Sequence, residues 1–143
     1  FNDQINPHNY CMPVVKNEND LIALRNYACS GNKKFFLGTD SAPHDITNKE
    51  KTKDIKPGIY SSPIAFEMYT SIFEEENSLN NLEKFSSING PKFYDLPINK
   101  TIITLRKEEW INEEFTKYKG IIIRNFLAGR KIKWKNTIVF NKL

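Results

Sequence analysis

Asp40 and His44 stand four residues apart at the end of an apolar run, Phe35-Phe36-Leu37-Gly38-Thr39-Asp40-Ser41-Ala42-Pro43-His44. The pattern predicts a buried strand that delivers a carboxylate to its C-terminal tip, with an imidazole carried by the following loop. Charged side chains are rarely buried unless paired or bound to a metal. At the C-terminal end of a barrel strand such a carboxylate stands where chemistry is done. It could accept and return a proton, or ligate a cation. The same residues also describe an ordinary turn, in which Asp40-Ser41 opens a loop and the Asp oxygens satisfy local backbone donors. Spacing alone leaves both readings open.

The flanking elements must position these groups. Tyr10-Cys11-Met12-Pro13-Val14-Val15 reads as a short buried strand, and Lys16 to Asn19 as polar loop. Asp20 is placed to cap a helix from Leu21 to Cys29, with Leu21, Leu24 and Ala28 on one face and Gly31 to end it. Lys34 to Thr39 is the second strand, so the first forty residues read β–α–β with a parallel crossover. Residues 45–61 form a long polar loop, with a turn at Pro57-Gly58. Ser62-Pro63 starts a helix whose stripe is Ile64, Met68, Ile72 and Phe73. Leu79 to Ser87 is a shorter helix that Asn89-Gly90-Pro91 interrupts. Thr101 to Arg106 is a strand, Glu108 to Lys119 is surface-polar around Trp110 and Phe115, and Ile121–Ile123 and Lys131–Trp134 are short closing segments. Both tryptophans read as packing residues. Two parallel strands with helices on one side leave a face bare, so further strands must complete the sheet.

Composition narrows the classes. The chain has 143 residues, 39% of them hydrophobic, and a net charge of +4. Its pI is near 9.0 and its mean hydropathy is −0.55. The lysines are spread among glutamates, and the densest basic stretch, Arg130 to Lys135, alternates with apolar residues as a half-exposed strand does. That argues against nucleic acid as a partner. No apolar run reaches membrane-spanning length, and Phe1-Asn2-Asp3-Gln4 lacks the features of a signal peptide. The start reads as the middle of a longer chain. Cys11 and Cys29 have no metal-ligand spacing and read as buried free thiols in a reducing compartment. His8 reads as a structural histidine.

The motifs resemble one family over most of the length. They are Pro7-His8-Asn9-Tyr10-Cys11-Met12-Pro13-Val14-Val15-Lys16, Ala28-Cys29-Ser30-Gly31, the Lys34 to His44 run, Lys49-Glu50 and Gly58-Ile59-Tyr60-Ser61-Ser62-Pro63. Farther on come Phe73-Glu74-Glu75-Glu76, Leu82-Glu83-Lys84-Phe85, Asn89-Gly90-Pro91-Lys92-Phe93-Tyr94 and Phe126-Leu127-Ala128-Gly129-Arg130. The chain resembles the C-terminal part of the class II dihydroorotases of the amidohydrolase superfamily.

That resemblance implies an α/β fold, a (β/α)₈ TIM-type barrel. Tyr10–Val15 would be its seventh strand and Lys34–Thr39 its eighth. Residues 1–95 would form the last two β/α units, and residues 96–143 a C-terminal extension packed on the barrel. The implied reaction is the reversible cyclisation of N-carbamoyl-L-aspartate to L-dihydroorotate in pyrimidine synthesis, at two zinc ions per active site. Asp40 would be the general base and also a zinc ligand. His44 would bind the substrate carboxylate, and Met12 would contact the pyrimidine ring through its backbone. Pro57 falls where the family offers a backbone N–H to that carboxylate, yet proline has none. The loop Lys53–Gly58 departs from the family pattern, and a one-residue shift would bring Lys56 or Gly58 into the slot.

The implied partners are the small-molecule substrate, the missing N-terminal barrel segment and a second copy in a homodimer, in the cytoplasm, with no nucleic acid or membrane. The missing segment would hold the other zinc ligands, so the chain is expected to be inactive alone. The alternatives are another cyclic amidohydrolase, dihydropyrimidinase- or allantoinase-like, and a catalytically dead scaffold.

Overall fold

Capping decides where the first helix begins. The computed structural model describes residues 6–14, 17–51 and 53–139. In it α1 spans Glu18–Cys29, starting at Glu18 rather than Leu21. Asn17 is the cap. Its side chain accepts from the Asp20 amide at 3.1 Å, and the Asp20 carboxylate accepts from the Asn17 amide at 3.3 Å. Asp20 is therefore the third residue of a capping box, which satisfies two amide donors where a lone cap satisfies one. Gly31 follows with φ of 73°, the left-handed conformation that ends a helix.

The chain divides into two compact units. One takes in Phe1–Val15, Thr39–Ala65 and Ile111–Lys131, the other Lys16–Gly38, Phe66–Trp110 and Ile132–Leu143. α3, Ala65–Glu75, follows a single 3₁₀ turn at Ser62–Ile64 and enters the second unit at Phe66. Ser61, not Ser62, precedes that turn, and it makes no side-chain cap bond. Phe73 is wholly buried, with Cys29, Leu82 and Phe85, and Leu37, Tyr69 and Leu105 pack around them. Of the stripe expected on this helix, Phe73 is core, Ile72 packs against it, Ile64 is buried and Met68 is half-buried. On α1 the expected stripe is not, because Leu21 and Leu24 are 55% and 68% exposed. Nothing among the described residues of that unit covers them.

Asn89-Gly90-Pro91 does not interrupt a helix. A 3₁₀ turn at Leu79–Asn81 leads into helical residues, through a π-helical stretch at Lys84–Ile88, to α4 at Asn89–Phe93. Pro91 lies inside this continuous run, directly after the π-helical stretch, and contributes no amide to it. Asn89 is buried, and its Nδ2 donates to the Phe35 carbonyl at 3.0 Å.

The two strands expected at Tyr10–Val15 and Lys34–Thr39 are not strands among the described residues, and Val15 lies outside them. A strand exists by its ladder, and here the backbone bonds go elsewhere. The Leu37 amide donates to the Phe85 carbonyl at 2.9 Å, and the Phe35 carbonyl is taken by Asn89. Pro13 has no amide to contribute, and the Met12–Pro13 peptide is cis.

The strands that form are antiparallel. β1, Ile102–Arg106, pairs with β6, Lys135–Val139, in the register Ile102↔Val139 to Arg106↔Lys135. β2, Trp110–Ile111, pairs with β5, Lys131–Ile132. β3, Phe115–Tyr118, pairs with β4, Ile121–Arg124, in the first unit. Lys119 and Gly120 join them with φ of 46° and 84°, the two positive values that a tight hairpin turn requires. In the second unit the Trp110 indole donates to the Trp134 carbonyl at 2.7 Å, and the Trp134 indole donates to Glu74 at 3.1 Å. Both tryptophans are half-buried packing residues with their N–H groups satisfied.

Glu67 on α3 is 2% exposed. Its Oε1 accepts from the Asn136 amide and side chain at 3.2 and 2.7 Å, while Oε2 has no partner among the described residues. Burial pushes its carboxyl above the ordinary carboxylate range. The folded state then binds a proton more tightly than the unfolded state, so stability falls as pH rises from that range through the raised value. Glu67→Gln should flatten this dependence. It should also raise Tm at neutral pH by about 2–4 °C per kcal/mol recovered. Thermal denaturation of the full-length protein across pH 4–8 checks both.

Candidate functional site

Asp40, Met12 and Pro57 line one open cavity of about 290 Å³ in the first unit. Its other walls include Cys11, Gly58 and Phe126. Asp40 has φ of 44°, in the left-handed region. Such a conformation costs an ordinary L-residue roughly 1–2 kcal/mol, and Asp is among the few that tolerate it. The carboxylate is exposed. It therefore stands on a sharp bend at the rim, a position that suits contact with a ligand better than packing.

Met12 is 58% exposed and extends the same wall. His44 does not line the cavity. Its Nε2 donates to the Pro57 carbonyl at 3.0 Å. A carbonyl only accepts, so Nε2 carries a hydrogen and Nδ1 is the ring atom left for a ligand. Pro57 has no amide, and the amides beside it are engaged. Lys56 N–H donates to the Asn48 carbonyl at 3.3 Å, and Gly58 N–H to the Tyr10 carbonyl at 2.9 Å. Pro57 thus meets the site through its ring and its carbonyl.

Lys49 organises this neighbourhood, although in a polar loop it has the look of a solvated lysine. It ends α2, Ile46–Lys49, and is 3% exposed. Its ammonium donates to the carbonyls of Tyr10, Lys56 and Gly58 at 3.0, 2.9 and 2.8 Å. Burial lowers its pKa below the usual lysine value. Asp45 caps α2 by accepting from the Thr47 amide at 2.9 Å, and it also accepts from the Ile122 amide of β4. The Thr47 hydroxyl, which donates to it at 2.6 Å, and then these two amides hold its carboxyl below the ordinary range. Ser41 Oγ accepts from the Ser61 and Ser62 amides, both at 3.1 Å. The one sequence signal for Lys49 was its place in the Lys49-Glu50 motif. Its burial depends on residues 10 and 56–58 folding over it.

His8 pairs with Glu50 at 2.9 Å, as a structural histidine does. Cys11 and Cys29 are both free, Cys29 buried and Cys11 only half-buried.

No three His, Cys, Asp or Glu side chains gather into a metal-holding group among the described residues. The whole chain has two histidines, His8 and His44, and both rings bond protein oxygens through Nε2. Asp40 is one candidate ligand, whereas a catalytic zinc takes about three protein ligands. These residues do not by themselves fit a zinc site.

No family model matches the chain. Curated relatives do. The mitochondrial dihydroorotase of Arabidopsis thaliana is 46% identical over 136 residues, covering 94% of this chain and 36% of the relative. The dihydroorotase of Buchnera aphidicola subsp. Schizaphis graminum is 47% identical over 135 residues, covering 94% of this chain and 38% of the relative. Among solved structures, the Saccharomyces cerevisiae dihydroorotase in complex with 5-fluoroorotic acid superposes with a TM-score of 0.86 at 36% identity. It covers 93% of this chain and 38% of that one. The Campylobacter jejuni dihydroorotase gives 0.80 at 32% identity, covering 94% and 40%. The homologues are thus dihydroorotases, and the chain spans about two fifths of their length. The likeness covers a mixed α/β segment.

Gly58 has φ of 147°, and a Cβ there would lie 2.7 Å from the Ala42 carbonyl oxygen and 3.0 Å from His44 Cδ2. Both the backbone angle and the close approach select glycine. Gly58→Ala should destabilise the full-length protein by about 1–3 kcal/mol, read from the midpoint of urea unfolding.

Proposed function

We propose that this chain is the C-terminal part of a dihydroorotase, a cyclic amidohydrolase of pyrimidine biosynthesis. It would carry the last two β/α units of the barrel in residues 1–95 and an extension in residues 96–143. The observation that carries this reading is identity of 46–47% to curated dihydroorotases over 94% of the chain.

The reaction is the reversible interconversion of N-carbamoyl-L-aspartate and L-dihydroorotate. In the opening direction, water adds to the ring amide carbonyl and the C–N bond breaks. Asp40 accepts a proton from the attacking water and returns it to the departing nitrogen. Its exposed carboxylate on the rim of the cavity suits that exchange. His44 offers the Nδ1 edge of its ring to the substrate carboxylate, since Nε2–H is committed to Pro57. The 5-fluoroorotic acid bound by the yeast neighbour is a carboxylated pyrimidine of the same kind. Met12 and Pro57 shape the wall against which the ring lies.

The complete enzyme would use two zinc ions, with Asp40 as one ligand and the remaining ligands supplied by the preceding part of the barrel. The other implied partner is a second copy in a homodimer. A cytoplasmic location fits the bacterial relatives, while two plant relatives are named mitochondrial. Among the described residues no helix is long and apolar enough to cross a membrane.

In the full-length protein Asp40→Ala should reduce kcat by at least about 100-fold. Steady-state hydrolysis of dihydroorotate measures this, and a smaller loss would rule out the general-base role. His44→Ala should raise KM by about 10-fold or more while zinc content stays unchanged. Kinetics paired with metal analysis checks it, and loss of zinc would instead make His44 a ligand.

A further inference from the structure

The segment Lys56–Pro57–Gly58 sends its carbonyls alternately to two sides. Those of Lys56 and Gly58 meet the Lys49 ammonium at 2.9 and 2.8 Å, and that of Pro57 between them meets His44 Nε2 at 3.0 Å. Alternation of this kind is what extended backbone does. The third ammonium hydrogen goes to the Tyr10 carbonyl at 3.0 Å, which also accepts the Gly58 amide at 2.9 Å. Lys49 therefore ties the stretch before Met12 to both peptides flanking Pro57.

The donor geometry is specific to lysine. An ammonium has three hydrogens in a tetrahedral arrangement, and all three are used here. No carboxylate lies within ion-pair distance of it among the described residues, so the cation is compensated by peptide oxygens, with the Tyr10 ring 5.9 Å away. A buried cation without a counter-ion is costly, and such an arrangement holds its oxygens tightly or does not form. Arginine keeps the charge but presents a planar fork, which cannot point at three carbonyls converging from different peptides.

We propose that Lys49 is a positioning residue for the substrate site. By fixing the Lys56 and Gly58 carbonyls, it aims the Pro57 carbonyl at His44 and sets the ring so that Nδ1 faces the ligand. Lys49 itself touches neither substrate nor the reacting atoms. The claim that the ligand is the carboxylate of dihydroorotate rests on the functional reading above. The claim that Lys49 sets the His44 ring does not.

The test uses the full-length protein with Lys49→Met and Lys49→Arg. The first readout is ¹⁵N NMR of histidine-labelled protein. Wild type should show His44 with a protonated, hydrogen-bonded Nε2, and both variants should lose that signature. The second readout is dihydroorotate kinetics. KM should rise by about 10-fold or more with kcat within about threefold, because loss of positioning weakens binding of ground and transition states alike. A merely destabilised enzyme would lose active fraction, which lowers apparent kcat and leaves KM unchanged. An unaltered His44 signal or an unaltered KM in folded variants overturns the proposal. So does failure of both variants to fold, since Lys49 would then be a folding residue. If wild type shows no dihydroorotase activity, the functional reading fails by itself, and the His44 signal still decides what Lys49 does.

Discussion

A buried ammonium with no carboxylate beside it must be solvated by peptide oxygens, and the first unit is arranged to meet that requirement at Lys49. Three carbonyls, from Tyr10, Lys56 and Gly58, converge on one nitrogen. The loop that departs most from the dihydroorotase pattern, Lys53–Gly58, thereby gains a fixed course although it contains no regular element. Gly58 is required where this course passes Ala42, and Pro57 is left with a carbonyl free for His44. The Pro57–Gly58 part of the cavity wall is thus tied to this one cation.

Side-chain donors also meet backbone carbonyls at several places where the chain lacks a ladder. Buried backbone groups must find partners. In the first unit Asn112 donates to the Phe126 carbonyl and Asn125 to that of Glu113. In the second, Asn81 donates to Cys29 and Asn89 to Phe35. Amide side chains are suited to this because they carry donors at a fixed reach and add no charge. The Asn-Gly-Pro motif is explained by it. Asn89 holds the extended stretch that was expected to be a strand, and Gly90 leaves room for the Phe36 ring, which a Cβ would meet at 3.4 Å.

Much of the site was legible in the residues. Asp40 was singled out by its type and place, Met12 and Pro57 by the resemblance, and the three line one candidate cavity. The left-handed backbone at Asp40 fits the abrupt end of the apolar run before Ser41-Ala42-Pro43. Lys49 was not legible, because a lysine between Asn48 and Glu50 in a polar loop has the composition of a solvated residue. Burial of such a side chain depends on segments distant in sequence, and no local pattern encodes it. The amide expected at Pro57 was open to doubt from the residue alone, and only the bonds of Lys56 and Gly58 show where the neighbouring amides go.

The sequence by itself determined what local chemistry can dictate. The α3 stripe, the end of α1 at Gly31, the strand at Ile102–Arg106 and the acid at Asp40 all follow from residue type and spacing. It also carried the likeness to dihydroorotases, since motifs survive in a segment of any length. The tertiary structure decided whether apolar runs became strands and which charges were buried. Tyr10–Val14 and Lys34–Thr39 have strand composition, yet a strand needs a neighbour for its peptide groups, and neighbours are a property of the fold. Leu21 and Leu24 have core composition, yet a face is buried only by what covers it. Lys49 has surface composition, yet three carbonyls make its burial tolerable. Propensity is local, whereas hydrogen-bond satisfaction and burial are set by residues far away in the chain.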